Sequence, residues 1–262
     1  MKQSDYRSIE ITRRGRVLTL TMNRPASLNA VNAELHEELS RVFTDAAKDA
    51  ESDIVVLTGA GRAFCAGGDV EWMQDAIDNP DSFETTVAEA KAIVFSLIDC
   101  EKPTIARING PAVGLGATLA LFCDISFAAE KAYLADPHVS IGMVAGDGGA
   151  VIWPQLIGFA RAKEFLLTGD RIAAPRAAEI GLINHAVPGD ELDAAVDAFA
   201  DRLAGGATKA IRWSKVTTNI ALRQLATAMM DAGLAYEALT NVSADHQRLV
   251  NEFREAAARR RT

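Results

Sequence analysis

Two glycine-rich segments constrain this chain more than any other feature. They read Gly59-Ala-Gly-Arg-Ala-Phe-Cys-Ala-Gly-Gly-Asp69 and Asn109-Gly-Pro-Ala-Val-Gly-Leu-Gly116, and each follows a short apolar run, residues 54–59 and 104–108. A continuous apolar run of that length reads as a strand buried on both faces. Glycine then permits tight turns in which backbone N–H groups face an anion or a developing oxyanion. Two such loops suggest a two-donor hole, and the plainer alternative is a pair of tight strand-to-helix turns. Neither loop matches GxxxxGK[ST]. The first also lacks GxGxxG followed by an acid about 20 positions on, so the nucleotide fingerprints fail.

Around these loops strand alternates with helix. Ile9, Ile11, Val17, Leu18, Leu20 and Met22 form two extended segments turned at Arg14-Gly15, and residues 32–50 carry Leu35, Leu39, Val42 and Ala46 at helical spacing. Residues 81–99 repeat that spacing with Phe83, Val87, Ala90, Val94 and Leu97, and Pro103 then separates them from the next strand. Residues 117–122 read as a buried helix and 124–128 as a further strand. The fold class is α/β, with a largely parallel layered sheet. From Gly149 onward the pattern is helical: 150–157, 160–167, 175–180, 192–203, 208–218 and most of 222–258. Gly205-Gly206 is the one break, dividing a core over 1–204 from a C-terminal helical region over 205–262.

With 49% hydrophobic and 24% charged residues in 262, the chain has a globular balance that excludes disorder and supports a sizeable core. Its 27 basic and 35 acidic side chains give a net charge of −8, which argues against nucleic acid as a partner. The basic cluster Arg259, Arg260 and Arg261 reads as a solvated helix end. Cys65, Cys100 and Cys123 show neither CxxC nor Cys/His ligand spacing, so no disulfide framework and no metal site is expected, and a reducing cytoplasm fits. The polar start and the lack of any apolar run near the roughly 18 residues of a membrane span argue against secretion or insertion.

Asn23-Arg-Pro25 with Leu28-Asn29, Thr58-Gly59 with Ala63 through Asp69, Lys102-Pro103 through Gly116, Cys123-Asp124, and Leu167-Thr168-Gly169-Asp170 with 177–182 together resemble the crotonase, or enoyl-CoA hydratase/isomerase, superfamily. The similarity runs over nearly the whole chain in unbroken order. It implies a crotonase-like spiral of ββα turns whose C-terminal helices build trimers, often paired into hexamers. It also implies that two backbone N–H groups, by position those of Ala66 and Leu115, hold the thioester oxygen of an acyl-CoA as it becomes enolate-like. Leu115 stands where glycine is usual and would narrow the choice of substrate. The family's CoA contacts fall at Arg24, Ala26 and Leu28, along Ala66, Gly67, Gly68 and Asp69, and around Phe253. The tail after Phe253 departs from the usual lysine-arginine pattern. CoA enters as part of the substrate, and no separate cofactor is implied.

Hydratases of this family use two glutamates, and here Thr118 and His138 occupy those positions. A threonine hydroxyl is no base near neutral pH, so two-glutamate chemistry is not supported. Histidine can move protons when a carboxylate orients it, and Asp147, in Ala145-Gly-Asp-Gly-Gly149, is the natural partner. His138, Gly146-Asp147-Gly148 and Ile152-Trp153-Pro154 resemble the oxocamphor hydrolase branch, which cleaves a carbon–carbon bond in a β-diketone without CoA. Glu237 falls where that branch has an active-site glutamate, whereas Leu115 replaces its second histidine. Asp136 is a further candidate acid. His36 and His246 are expected at the surface, and His185 at the end of a short strand.

Three readings follow: an acyl-CoA hydratase, isomerase or related lyase using His138 with Asp147; a CoA-independent β-diketone hydrolase using the same pair; and a non-catalytic acyl-CoA binding member of the fold.

Overall fold

The computed structural model describes residues 1–259. The two opening strands, β1 (Ile9–Arg14) and β2 (Val17–Met22), form an antiparallel hairpin, and α1 (Ala33–Lys48) follows with the Asn32 side chain accepting from the Leu35 N–H as its N-cap. Then come β3 (Ile54–Gly59), α2 (Val70–Asp78), α3 (Phe83–Asp99), β4 (Thr104–Ile108), β5 (Ala112–Val113), α4 (Leu115–Phe122), β6 (Ile125–Ala129) and β7 (Tyr133–Ala135). The helical remainder is α5 (Gly149–Thr168), β8 (Ile172–Ala173), α6 (Ala174–Glu179), β9 (His185–Val187), α7 (Leu192–Ala204), α8 (Thr208–Asn241) and α9 (Ala244–Arg259).

The main sheet has the order β1-β2-β3-β4-β6-β9, parallel throughout except for the β1–β2 hairpin, and β5-β7-β8 make a small second sheet. Successive residues of a strand face opposite sides, and the burial follows that period. Leu18, Leu20, Val55 and Leu57 join one core with Leu35, Leu39 and Val42 of α1 and Val94 and Leu97 of α3. Val17, Val56, Ile105 and Phe127 face the other way, onto Leu192, Val196 and Ala200 of α7.

The nine-residue α2 has no apolar stripe long enough to announce it in the sequence. Three local expectations are corrected. Residues 208–241 form one continuous helix, since nothing at 218–222 interrupts the i→i−4 ladder, and the break comes at Val242-Ser243 instead. His185 opens β9 rather than ending it. The two segments on either side of Gly158 are joined into α5 across a kink at that residue (φ 78°, ψ 158°). Of the terminal arginines, Arg260 and Arg261 lie outside the described residues. Among those described, no helix is long and apolar enough to cross a membrane. The three cysteines are free and buried, and burial pushes the Cys65 and Cys123 thiols up to about 12.

The two glycine-rich loops meet. Cys65 bridges Ala112 in parallel register, and the Val113 N–H donates to the Cys65 carbonyl at 2.9 Å. Buried Asn29 clamps the first loop, its amide nitrogen donating to the carbonyls of Ala60 and Ala63 at 2.9 Å each, while Asn109 Nδ2 donates to the carbonyls of Gly61 (2.9 Å) and Ala63 (3.2 Å). Gly116 approaches so closely that a methyl group on it would lie 2.7 Å from both the Cβ and the carbonyl oxygen of Cys65. Gly116→Ala therefore has to move backbone, and it is expected to cost about 1–3 kcal/mol of stability in urea unfolding. An unchanged midpoint would contradict this close approach.

Candidate active site

α4 starts at Leu115, directly after Gly114 (φ 54°, ψ −123°), so its first N–H groups have no partner within the helix and carry the positive end of its dipole. Among the described residues the Leu115 N–H makes no hydrogen bond. The Ala66 N–H, expected as its companion, donates to the Leu28 carbonyl at 3.1 Å. That bond has to be exchanged for one to a substrate before Ala66 can serve. Leu28 and Asn29 both sit in the left-handed region (φ 56° and 58°), so the accepting carbonyl belongs to a strained turn. The two loops pack closely here. A methyl group on Gly114 would lie 3.8 Å from Gly67 Cα and 3.7 Å from His138 Cε1.

His138 opens a single 3-10 turn, His138–Ile141, after Pro137. Its Nδ1 makes a short hydrogen bond to Asp136 Oδ1, and its Nε2 lies 3.7 Å from Asp147 Oδ2. Sequence spacing favours Asp147 as the partner; the structure gives the direct bond to Asp136 and sets Asp147 across the ring. Asp147 Oδ1 in turn lies 3.4 Å from Thr118 Oγ1. Thr118, on α4, thus flanks the Asp147 carboxylate.

Glu237 arrives from α8, where Gly146 and Gly233 let the loop and helix backbones touch. It is buried, and its Oε2 has no hydrogen-bond partner. Beside it along α8, a cavity of about 350 Å³ is lined by Phe83, Val87, Leu234, Ala238 and Asn241, among others.

Burial works against charge on His138, Asp147 and Glu237. It would lower His138, but Asp136 first, then Asp147 and Glu237, outweigh it and hold the imidazole well above the ordinary histidine value. Burial raises Asp147, with His138 opposing. Burial, and next the Asp147 carboxylate, push Glu237 up to about 8. Near neutral pH the cluster therefore holds an imidazolium and a protonated Glu237. Asp136, His138 and Asp147 also bring three potential ligand atoms within 4.8 Å of one another, which spacing along the chain does not show.

The other expected residues divide. Arg24, half-buried, turns inward: one guanidinium nitrogen donates to the Ala30 carbonyl and another pairs with Asp69 at 3.1 Å. Ala26 is exposed, and Leu28, Ala66, Gly68 and Asp69 are part-exposed around the same loop, with Gly67 buried. Phe253 is 54% exposed on α9, neither a core aromatic nor enclosed by this chain, while its neighbour Arg254 ties α9 to Glu71 of α2 at 3.0 Å. His36 and His246 are not at the surface. His36 is buried with Nδ1 2.6 Å from Glu89 Oε2 and its ring 5.0 Å from that of Trp72. His246 is fully buried, donating from Nδ1 to the Ile141 carbonyl at 2.6 Å, and burial lowers its pKa. Their partners lie 53 and 105 positions away, beyond the reach of local pattern.

Residues 12–259 match the family model described as enoyl-CoA hydratase/isomerase. A probable enoyl-CoA hydratase of Mycobacterium bovis is 33% identical over 232 residues, 88% of this chain and 87% of the relative. The solved structure of an enoyl-CoA hydratase/isomerase from Mycobacterium paratuberculosis superposes with a TM-score of 0.92 at 39% identity, covering 95% of this chain and 99% of the other. A β-diketone hydrolase from the cyanobacterium Anabaena, solved with (S)-3-oxocyclohexyl acetic acid, superposes with a TM-score of 0.85 at 29% identity, covering 91% and 96%. The chain is a crotonase-fold enzyme. It belongs to the enoyl-CoA hydratase/isomerase family.

The raised Glu237 pKa has a consequence for stability. Folded Glu237 keeps its proton up to about 8, whereas the unfolded side chain loses it near 4.5, so the folded state binds more protons between these values. Stability therefore falls as pH rises across that window. Glu237→Gln removes this term, so between pH 5 and 9 the wild type is expected to lose more stability in urea unfolding than the variant. Equal losses would show that Glu237 does not titrate there.

Proposed function

We propose that the protein acts on an acyl-CoA thioester through an enolate, with His138 and Asp147 in the roles of the family's two glutamates. The observation that carries this reading is the placement of His138 beside Gly114, one residue before the unpartnered Leu115 N–H. The thioester oxygen would take hydrogen bonds from Leu115 and, on displacing the Leu28 carbonyl, from Ala66. Fixed donors aimed at a developing oxyanion contribute roughly 3–4 kcal/mol each in comparable holes. In hydration, Asp147, held near Thr118, takes a proton from water as it adds to the β-carbon, and the His138 imidazolium delivers a proton to the α-carbon. The Leu115 side chain would narrow the acyl groups accepted. The CoA moiety would lie along Arg24, Ala26, Leu28 and the Ala66–Asp69 segment, with Phe253 contributing from α9.

The family match and the acyl-CoA enzymes among the relatives support this reading; a 1,2-epoxyphenylacetyl-CoA isomerase of Escherichia coli is 33% identical over 239 residues. One specific observation favours a second: buried Glu237 flanks the His138/Asp147 pair, and a β-diketone hydrolase is among the similar structures. In that reading the pair activates water for attack on a ring carbonyl without CoA.

Micromolar or tighter CoA binding with turnover of a crotonyl thioester is expected. No binding at millimolar CoA, with turnover of a cyclic β-diketone, would overturn the first reading in favour of the second. His138→Ala is expected to lower kcat by ~10²–10⁴ while thioester binding survives; an unchanged rate would remove His138 from the mechanism.

We further propose that the chain assembles as a homotrimer, singly or paired. Phe159, Trp213, Ile220 and Leu239 are exposed apolar side chains on α5 and α8 that a second copy could cover. Light scattering is expected to give three or six times the chain mass, and a monomer would contradict the assembly.

A further inference from the structure

We propose that Asp136 is the positioning residue of His138, and that Gly149 lacks a side chain so that the Asp136 carboxylate can seat against it. This inference rests on reading His138 as the proton-transfer group.

Asp136 follows β7, whose Leu134 and Ala135 pair with Ala112 and Val113 of β5, and the Gly114 N–H donates to the Ala135 carbonyl at 2.9 Å. The carboxylate is therefore anchored to the loop that presents the Leu115 N–H. Asp136 is fully buried. Oδ1 bonds His138 Nδ1, whereas Oδ2 has no hydrogen-bond partner and rests where a Gly149 side chain would be. A buried carboxylate with one unsatisfied oxygen is costly unless a cation faces it. His138 supplies that cation.

The division of labour follows from distance. At 3.7 Å, Asp147 Oδ2 is beyond direct hydrogen-bond distance of His138 Nε2. Asp136, bonded to Nδ1, fixes which nitrogen keeps its proton and which faces the reaction. The groups facing the ring are Asp136 from the β7 end, Asp147 from the loop before α5, Glu237 from α8 and His246 from α9. Asp136 makes the only direct hydrogen bond among them in the described residues.

The test is nuclear magnetic resonance of the full-length protein labelled with ¹⁵N-histidine, which needs no known substrate, so its outcome is independent of whether the thioester reading holds. His138→Asn assigns the signals. The wild type is expected to show a strongly deshielded Nδ1 proton on His138. Asp136→Asn should abolish it and lower the His138 titration midpoint by about one pH unit or more. Asp147→Asn should keep the Nδ1 proton. Gly149→Ala, with both partners intact, should weaken the same signal by displacing the carboxylate. Survival of the signal in Asp136→Asn, or its loss in Asp147→Asn, would overturn the proposal. If Asp136→Asn does not fold, an unchanged signal in Gly149→Ala would do the same.

Discussion

The close approach of two backbone turns governs this molecule. Cys65 and Gly67 on one side and Ala112 to Gly116 on the other come into close contact because Gly67 and Gly116 lack side chains where the neighbouring chain passes. The parallel pairing of β3 with β4 delivers both turns to the same end of the sheet. From that contact follow the start of α4, the unpartnered N–H of Leu115, and the seat against which His138 lies. Asn29 and Asn109 hold the first turn from two directions with side-chain amides, doing what a regular ladder cannot do across a loop.

Onto this frame the fold adds a buried charge cluster. Three carboxyl groups and one imidazole converge from the end of β7, the loop before α5, α4 by way of Thr118, and α8. Burial works against the charged forms of His138, Asp147 and Glu237 there. Together they settle by sharing fewer charges than they have groups: Asp136 sustains the imidazolium, and Glu237 keeps its proton. A cluster that holds protons near neutrality can exchange them with a substrate at the same pH, which is what acid–base catalysis needs.

The sheet was largely legible because its strands are continuous apolar runs closed by glycine, and Ile54 to Gly59 is buried at every position. The turns after β3 and β4 were legible for the same reason. What sequence could not show was convergence. Glu237 is picked out by resemblance alone, since nothing in its own helix shows that Gly146 packs on Gly233 beside it and that it is buried. His36 and His246 look like surface residues because Glu89 and the Ile141 carbonyl, which satisfy them, belong to distant elements. Asp136, two residues from His138, is legible as a nearby acid, but spacing does not show that it, rather than Asp147, bonds the ring directly. The engagement of the Ala66 N–H by Leu28 depends on two consecutive left-handed residues, which no periodicity reveals.

The central claim is that His138 exchanges protons at the carbon next to a thioester held by the loop amides. Exchange of the α-hydrogen of a 3-hydroxyacyl-CoA in D₂O, followed by proton resonance, measures that step directly. The account predicts incorporation of deuterium at the α-carbon by the wild-type protein and its loss in His138→Ala. Tight binding of the thioester with no incorporation by the wild type would contradict it.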